Sequence, residues 1–98
     1  MVFNLSQIKD LELKQRTEKD QHDGICYETS GGKVFLVIHK NTIEVRTDER
    51  LRDVLCEKYE SVMDSRHFGK GGIEIVVNAQ LTDEELADLV RLSYRLSQ

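Results

Sequence analysis

Residues 24–46 read G-I-C-Y-E-T-S-G-G-K-V-F-L-V-I-H-K-N-T-I-E-V-R. Three strands and two turns account for them. Ile25-Cys26-Tyr27-Glu28-Thr29 reads as one strand. Ser30-Gly31-Gly32-Lys33 is a turn, because paired glycines supply the positive φ that tight hairpins need. Val34-Phe35-Leu36-Val37-Ile38-His39 is apolar on both faces, which marks a central strand. Lys40-Asn41 turns the chain again. Thr42-Ile43-Glu44-Val45-Arg46 alternates, with Ile43 and Val45 inward and Glu44 and Arg46 outward. The stretch is an antiparallel meander, and the remaining elements must pack on it.

Downstream, Thr47 or Asp48 caps a helix whose apolar stripe is Leu51, Val54, Leu55 and Tyr59. Residues 60–66 are short and extended. Gly69 to Gly72 turn the chain into a further strand with Ile73, Ile75 and Val77 on one face. Thr82 and Glu85 have capping-box spacing, and Leu81 and Leu86 stand where a hydrophobic staple would close over the helix start. Leu86, Leu89, Val90, Ser93 and Leu96 then face the sheet. Asp83, Glu84 and Glu85 in the first turn, with Arg91 and Arg95 towards the end, complement the helix dipole.

Upstream the pattern is weaker. Leu5, Ile8 and Leu11 have helical spacing, and Asn4 with Gln7 could form a capping box, whereas Leu11 and Leu13 alternate as in a strand. Residues 14–21 are too polar to bury. A short helix followed by an exposed loop is expected there. The element order is α-β-β-β-α-β-β-α: an α+β fold in two layers, one antiparallel sheet with helices packed on one face.

A chain of 98 residues makes one domain, 1–98, with a single modest core. With 39% hydrophobic and 33% charged residues it belongs to the soluble globular class, not the disordered one. It has no apolar run of bilayer length and no signal-like N-terminus, so no membrane association is expected. Cys26 and Cys56, without a C-x-x-C motif, read as reduced, buried thiols of a cytoplasmic protein. The net charge of −4 lowers the expectation of nucleic-acid binding, which a local basic patch could still support.

From Gly32 to Gln98 the chain resembles the MmcQ/YjbR-like family of small, mostly uncharacterised bacterial proteins. Gly32-Lys33-Val34-Phe35 is similar to the family's G-K-x-F start of the central strand. Arg46-Thr47-Asp48-Glu49-Arg50-Leu51 is similar to its strand-to-helix junction, and Glu57-Lys58-Tyr59 followed by His67 and Lys70 to its E-x-Y…H-x-x-K region. Leu81-Thr82-Asp83-Glu84-Glu85-Leu86 and Ser93-Tyr94-Arg95-Leu96 are similar to its closing helix with a Ser-Tyr signature. The resemblance implies a two-layer α+β fold, and some members are described as possible DNA-binding proteins. Two departures stand out. The family's Lys-Arg-His-Trp run is Lys70-Gly71-Gly72-Ile73 here, and the N-terminal helix is short or divergent.

Ser65-Arg66-His67-Phe68-Gly69-Lys70-Gly71-Gly72 is not a P-loop, because Lys70 is followed by glycine and the next element is a strand. It reads as a glycine-rich hairpin connection, with a weak anion site on Arg66 and Lys70 as the alternative. His22, His39 and His67 lack metal-ligand spacing among themselves or with either cysteine, so no metal or other cofactor is expected. No nucleophile motif surrounds Cys26, Cys56 or Ser65, which favours binding over catalysis. Lys33, Lys40, Arg46, Arg66, His67 and Lys70 are the candidate nucleic-acid or anion contacts, if they gather on one surface. Glu28 and Glu44 would interrupt such a patch. The alternative is a protein partner or a homodimer, using Tyr27, Phe35 and Val76 on an open sheet face, as in the dimeric secretion chaperones that the fold resembles.

Overall fold

The computed structural model describes Phe3 and residues 5–98. Six strands form one antiparallel sheet: β1 (Lys14–Gln15), β2 (Ile25–Glu28), β3 (Val34–Ile38), β4 (Thr42–Arg46), β5 (Val62–Ser65) and β6 (Gly69–Val76). Their spatial order is β1-β2-β3-β4-β6-β5. Helix α1 (Glu49–Lys58) links β4 to β5, and α2 (Asp83–Leu96) closes the chain. The α+β fold and the meander are as the sequence implies.

The N-terminal region differs. The expected helix is a single 3₁₀ turn, Leu5–Ile8, and the polar segment supplies β1, which pairs with Tyr27 and Glu28 at the sheet edge. An edge strand needs only one hydrogen-bonded side, so Lys14 and Gln15 can join it while remaining exposed. The capping box expected from Asn4 lies outside the described residues.

One face carries Tyr27, Leu36, Ile38, Ile43, Val45, Val62, Ile73 and Ile75, which meet Leu86, Ala87 and Val90 of α2 in a continuous core. Asp48 caps α1, and Thr82 with Glu85 completes the capping box of α2. The stripe expected on α1 is shallower than drawn, since none of its residues is fully buried and Val54 is exposed; so is Leu96 on α2.

Phe35 is the extra residue of a bulge: Tyr27 faces Leu36 and Glu28 faces Val34. The bulge lets Phe35 meet the Tyr94 ring edge-on at 4.9 Å. Ser93 locks this arrangement. Its hydroxyl donates to the Phe35 carbonyl at 2.6 Å and accepts from the Arg46 backbone N–H at 2.7 Å. Ser93→Ala would orphan both groups in a dry site, at a cost of about 2 kcal/mol. A melting temperature lower by roughly 10 °C is expected, and an unchanged value would mean that the two backbone groups find other partners.

Candidate functional site

The second sheet face was expected to be open, with Glu44 pointing to solvent. It is closed instead, and Glu44 is fully buried. Two segments fold over it. The first is the β5–β6 turn, Arg66–Phe68. Gly69, at φ +59°, ends this turn, and Gly69–Gly72 already belong to β6 instead of forming the turn themselves. Phe68 packs on Cys26, Val34 and Val37, and the Arg46 guanidinium lies 4.8 Å above its ring. The second segment is the 16–24 connection, tied down where the Arg16 N–H donates to the Cys26 carbonyl and the Asp20 N–H to the Gly24 carbonyl. Gly24 sits against Val37 and His39 so closely that a Cβ there would overlap both.

The other exposure expectations fail for a different reason, because two of the three residues belong to the helix-side core. Tyr27 is buried on the helical side and Phe35 lies in its bulge, while only Val76 keeps partial exposure. Of the three residues named for a partner surface, Tyr27 and Phe35 are therefore not available on this face.

Beneath the two covering segments lies a polar cluster. Glu44 and Glu74 stand directly opposite each other on β4 and β6. Like charges in that register destabilise a sheet unless each is compensated. Glu74 accepts two hydrogen bonds from the Arg66 guanidinium, at 2.8 and 2.9 Å, and one from the Thr42 hydroxyl at 2.7 Å. Glu44 accepts from the Ser65 hydroxyl at 2.7 Å and the His67 backbone N–H at 2.8 Å, and its other oxygen lies 2.5 Å from His39 Nε2. Burial alone would raise the Glu44 pKa, but the His67 N–H, the His39 ring and the Ser65 hydroxyl outweigh it and hold the carboxyl below its ordinary value.

Asp20 completes the cluster from the segment read as an exposed loop. Its side chain is only 1% accessible. Oδ1 accepts from the backbone N–H groups of His22 and Gly24 at 2.9 and 2.7 Å. Oδ2 is buried with no hydrogen-bond partner. His67 Nδ1 approaches it to 3.6 Å, an electrostatic contact but too long for a hydrogen bond. Burial pushes the Asp20 pKa up, and the Gly24 and His22 N–H groups with the nearby His39 and His67 rings pull it below its ordinary value. One side-chain oxygen or nitrogen from each of Asp20, His39 and Glu44 lies within 4.8 Å of the others. A cleft of about 420 Å³, lined by His22, His39, Lys40, Thr42, Arg66 and Glu74, opens beside them.

The six candidate contacts divide. Lys33, Arg46 and Lys70 share one end of the sheet, since Arg46 pairs with Gly72 and donates to the Val34 carbonyl at 2.7 Å. Lys40 and Arg66 line the cleft at the other end, where Arg66 is paired with Glu74. His67 covers the cluster between them. Asp20, Glu44 and Ser65 had no place among the sequence candidates. The available signals were two glutamates set among β-branched residues, Ile43-Glu44-Val45 and Ile73-Glu74-Ile75, and a glycine, Gly24, leading into a strand.

The sequence profile of one family, YjbR, matches residues 11–96. The chain belongs to the YjbR family. The matched span includes every strand, both helices and all residues of the buried cluster. No curated protein matches the chain. Among solved structures, a structural-genomics crystal structure of a protein from Pseudomonas syringae is similar at a TM-score of 0.80 and 17% identity, over 98% of this chain and 95% of that one. At that identity the likeness extends the fold of this YjbR protein and carries nothing about activity. No helix among the described residues is long and apolar enough to cross a membrane.

Proposed function

We propose that this YjbR protein is a binding module and not an enzyme, and that the ligand it engages at its basic strand ends is nucleic acid. The observation that carries this is the placement of Lys33, Arg46 and Lys70 at one end of three neighbouring strands, β3, β4 and β6. Adjacent strands stand about 4.8 Å apart, so three cations in a row match the scale of consecutive backbone phosphates. Lys33 and Lys70 are exposed. Arg46 is committed to Phe68 and the Val34 carbonyl and acts as a fixed charge between them. Arg66 drops out of this set because Glu74 neutralises it. Contact of this kind reads phosphate and shape, not base sequence.

A titration with duplex DNA at low salt tests the reading. Micromolar binding is expected, weakening as salt rises. The double variant Lys33→Ala/Lys70→Ala is expected to flatten the salt dependence by about two phosphate contacts, whereas Lys40→Ala at the far end leaves it unchanged. No binding at low salt, or equal losses from both variants, would remove the proposal.

A further inference from the structure

We propose that Asp20, His39 and Glu44 form a binding site for a divalent transition-metal ion on the covered face of the sheet. Three separate segments deliver the ligands: the 16–24 connection, the end of β3 and the centre of β4. Spacing rules do not single out such a set, because Asp20 is remote in sequence from His39 and Glu44.

Three observations converge. The first is geometric. The donor atoms already lie within 4.8 Å of one another. An ion bound at about 2.0–2.1 Å separates tetrahedral ligands by roughly 3.4 Å, so modest side-chain rotations close the site. In that rotation His39 Nε2 exchanges its contact with the Glu44 carboxylate for a bond to the metal.

The second is an unanswered group. Asp20 is anchored by two backbone N–H groups on Oδ1, while Oδ2 is buried without a donor. Buried polar atoms of native proteins are almost always paired with protein, water or an ion. A cation placed between Oδ2, the His39 ring and Glu44 supplies the missing partner. It also leaves in place the bonds that orient the ligands. The Ser65 hydroxyl and the His67 N–H both lie on Glu44 Oε1, opposite the oxygen that faces His39. Such outer partners fix ligand orientation in metal sites.

The third is charge. Two buried carboxylates share the site, and Arg66, the nearby guanidinium, is already matched by Glu74. A divalent ion offsets both carboxylates with His39 neutral, so no second buried cation is needed. Two carboxylate oxygens and one imidazole suit zinc, manganese, iron(II) or cobalt better than calcium or magnesium, which favour oxygen-only shells. Three protein ligands leave at least one coordination position. His39 lines the cleft as well, which gives the ion a route in and an exchangeable ligand a place to bind.

Chelator-stripped protein is titrated with zinc, manganese or cobalt(II) chloride near neutral pH. Expected results are one ion per chain, micromolar or tighter affinity, and a raised melting temperature. Asp20→Asn and His39→Gln are each expected to lower affinity by at least about tenfold, the scale that outer partners alone command. Should either variant fail to fold, imidazole NMR signals of the wild-type protein decide. Added zinc is expected to move His39 most, with smaller shifts of His22, which lines the same cleft, and of His67. No binding of any of the three ions, equal binding by folded variants, or signals that move only on His22 and His67 would overturn the site.

Discussion

Glu44→Ala is expected to lower stability by about 4 kcal/mol, the scale on which removing one partner from a buried charged network operates. For a domain whose whole stability is about 5–15 kcal/mol, that is a large share. The loss comes from what the carboxylate leaves behind. The Ser65 hydroxyl, the His67 N–H and the His39 ring all meet Glu44, whose side chain is fully buried. Cutting the side chain back to Cβ strands all three and opens a hole at the centre of β4. Glu44→Gln separates hydrogen bonding from charge. Its amide oxygen still accepts from Ser65 and the His67 N–H, and its NH₂ can donate to a neutral His39 ring. A cost of about 1–2 kcal/mol is expected for that variant. Denaturant titration at neutral pH measures both. Equal losses would show that charge is what matters, and two small losses would mean that Glu44 is reached by water.

The contrast between Glu44 and its neighbours shows how far the sequence could be read. Alternation places Ile43 and Val45 inward, and they are fully buried on the helical side. Alternation is geometric, so it sorts residues into two faces correctly. It does not say what lies beyond either face. The outward set met solvent only in expectation, because the 16–24 connection and the Arg66–Phe68 turn return over it, and neither has a periodic pattern that announces docking. Asp20 illustrates the point: a carboxylate in a run of polar residues, buried through two backbone N–H groups that exist only once the loop has closed. The helix ends were legible for the opposite reason. Thr82 and Glu85 act on each other across one turn, so their chemistry is local. The basic residues fall between these cases. Their positions on strand ends were readable, but the pairing of Arg66 with Glu74 and of Arg46 with Phe68 depends on tertiary register.

Gly72→Ala is expected to be strongly destabilising although it adds only one methyl group. Gly72 is buried in β6 opposite Arg46. A Cβ there would lie 2.4 Å from the Val45 carbonyl oxygen and 2.8 Å from Phe68 Cβ. The carbonyl is backbone and cannot swing aside, so the β4–β6 pair must spread, and Phe68 must also shift to clear its own overlap. Losing Phe68 would uncover Cys26, Val34 and Val37 and release Arg46 from its ring. Overpacking of this kind costs about 3 kcal/mol. Gly71→Ala is the control, because its Cβ would approach nothing nearer than the Phe68 carbonyl at 3.4 Å, and a change within about 1 kcal/mol is expected there. The space above residue 72 belongs to Phe68. Denaturation gives the energies, and the rate at which a thiol reagent labels Cys26 reports whether Phe68 has moved. Faster labelling of the Gly72 variant under native conditions is expected, since Cys26 is 3% accessible while Phe68 is in place. If Gly71→Ala and Gly72→Ala unfold alike and label alike, the close packing of Phe68 on β6 is wrong, and with it the closure of this face over Glu44.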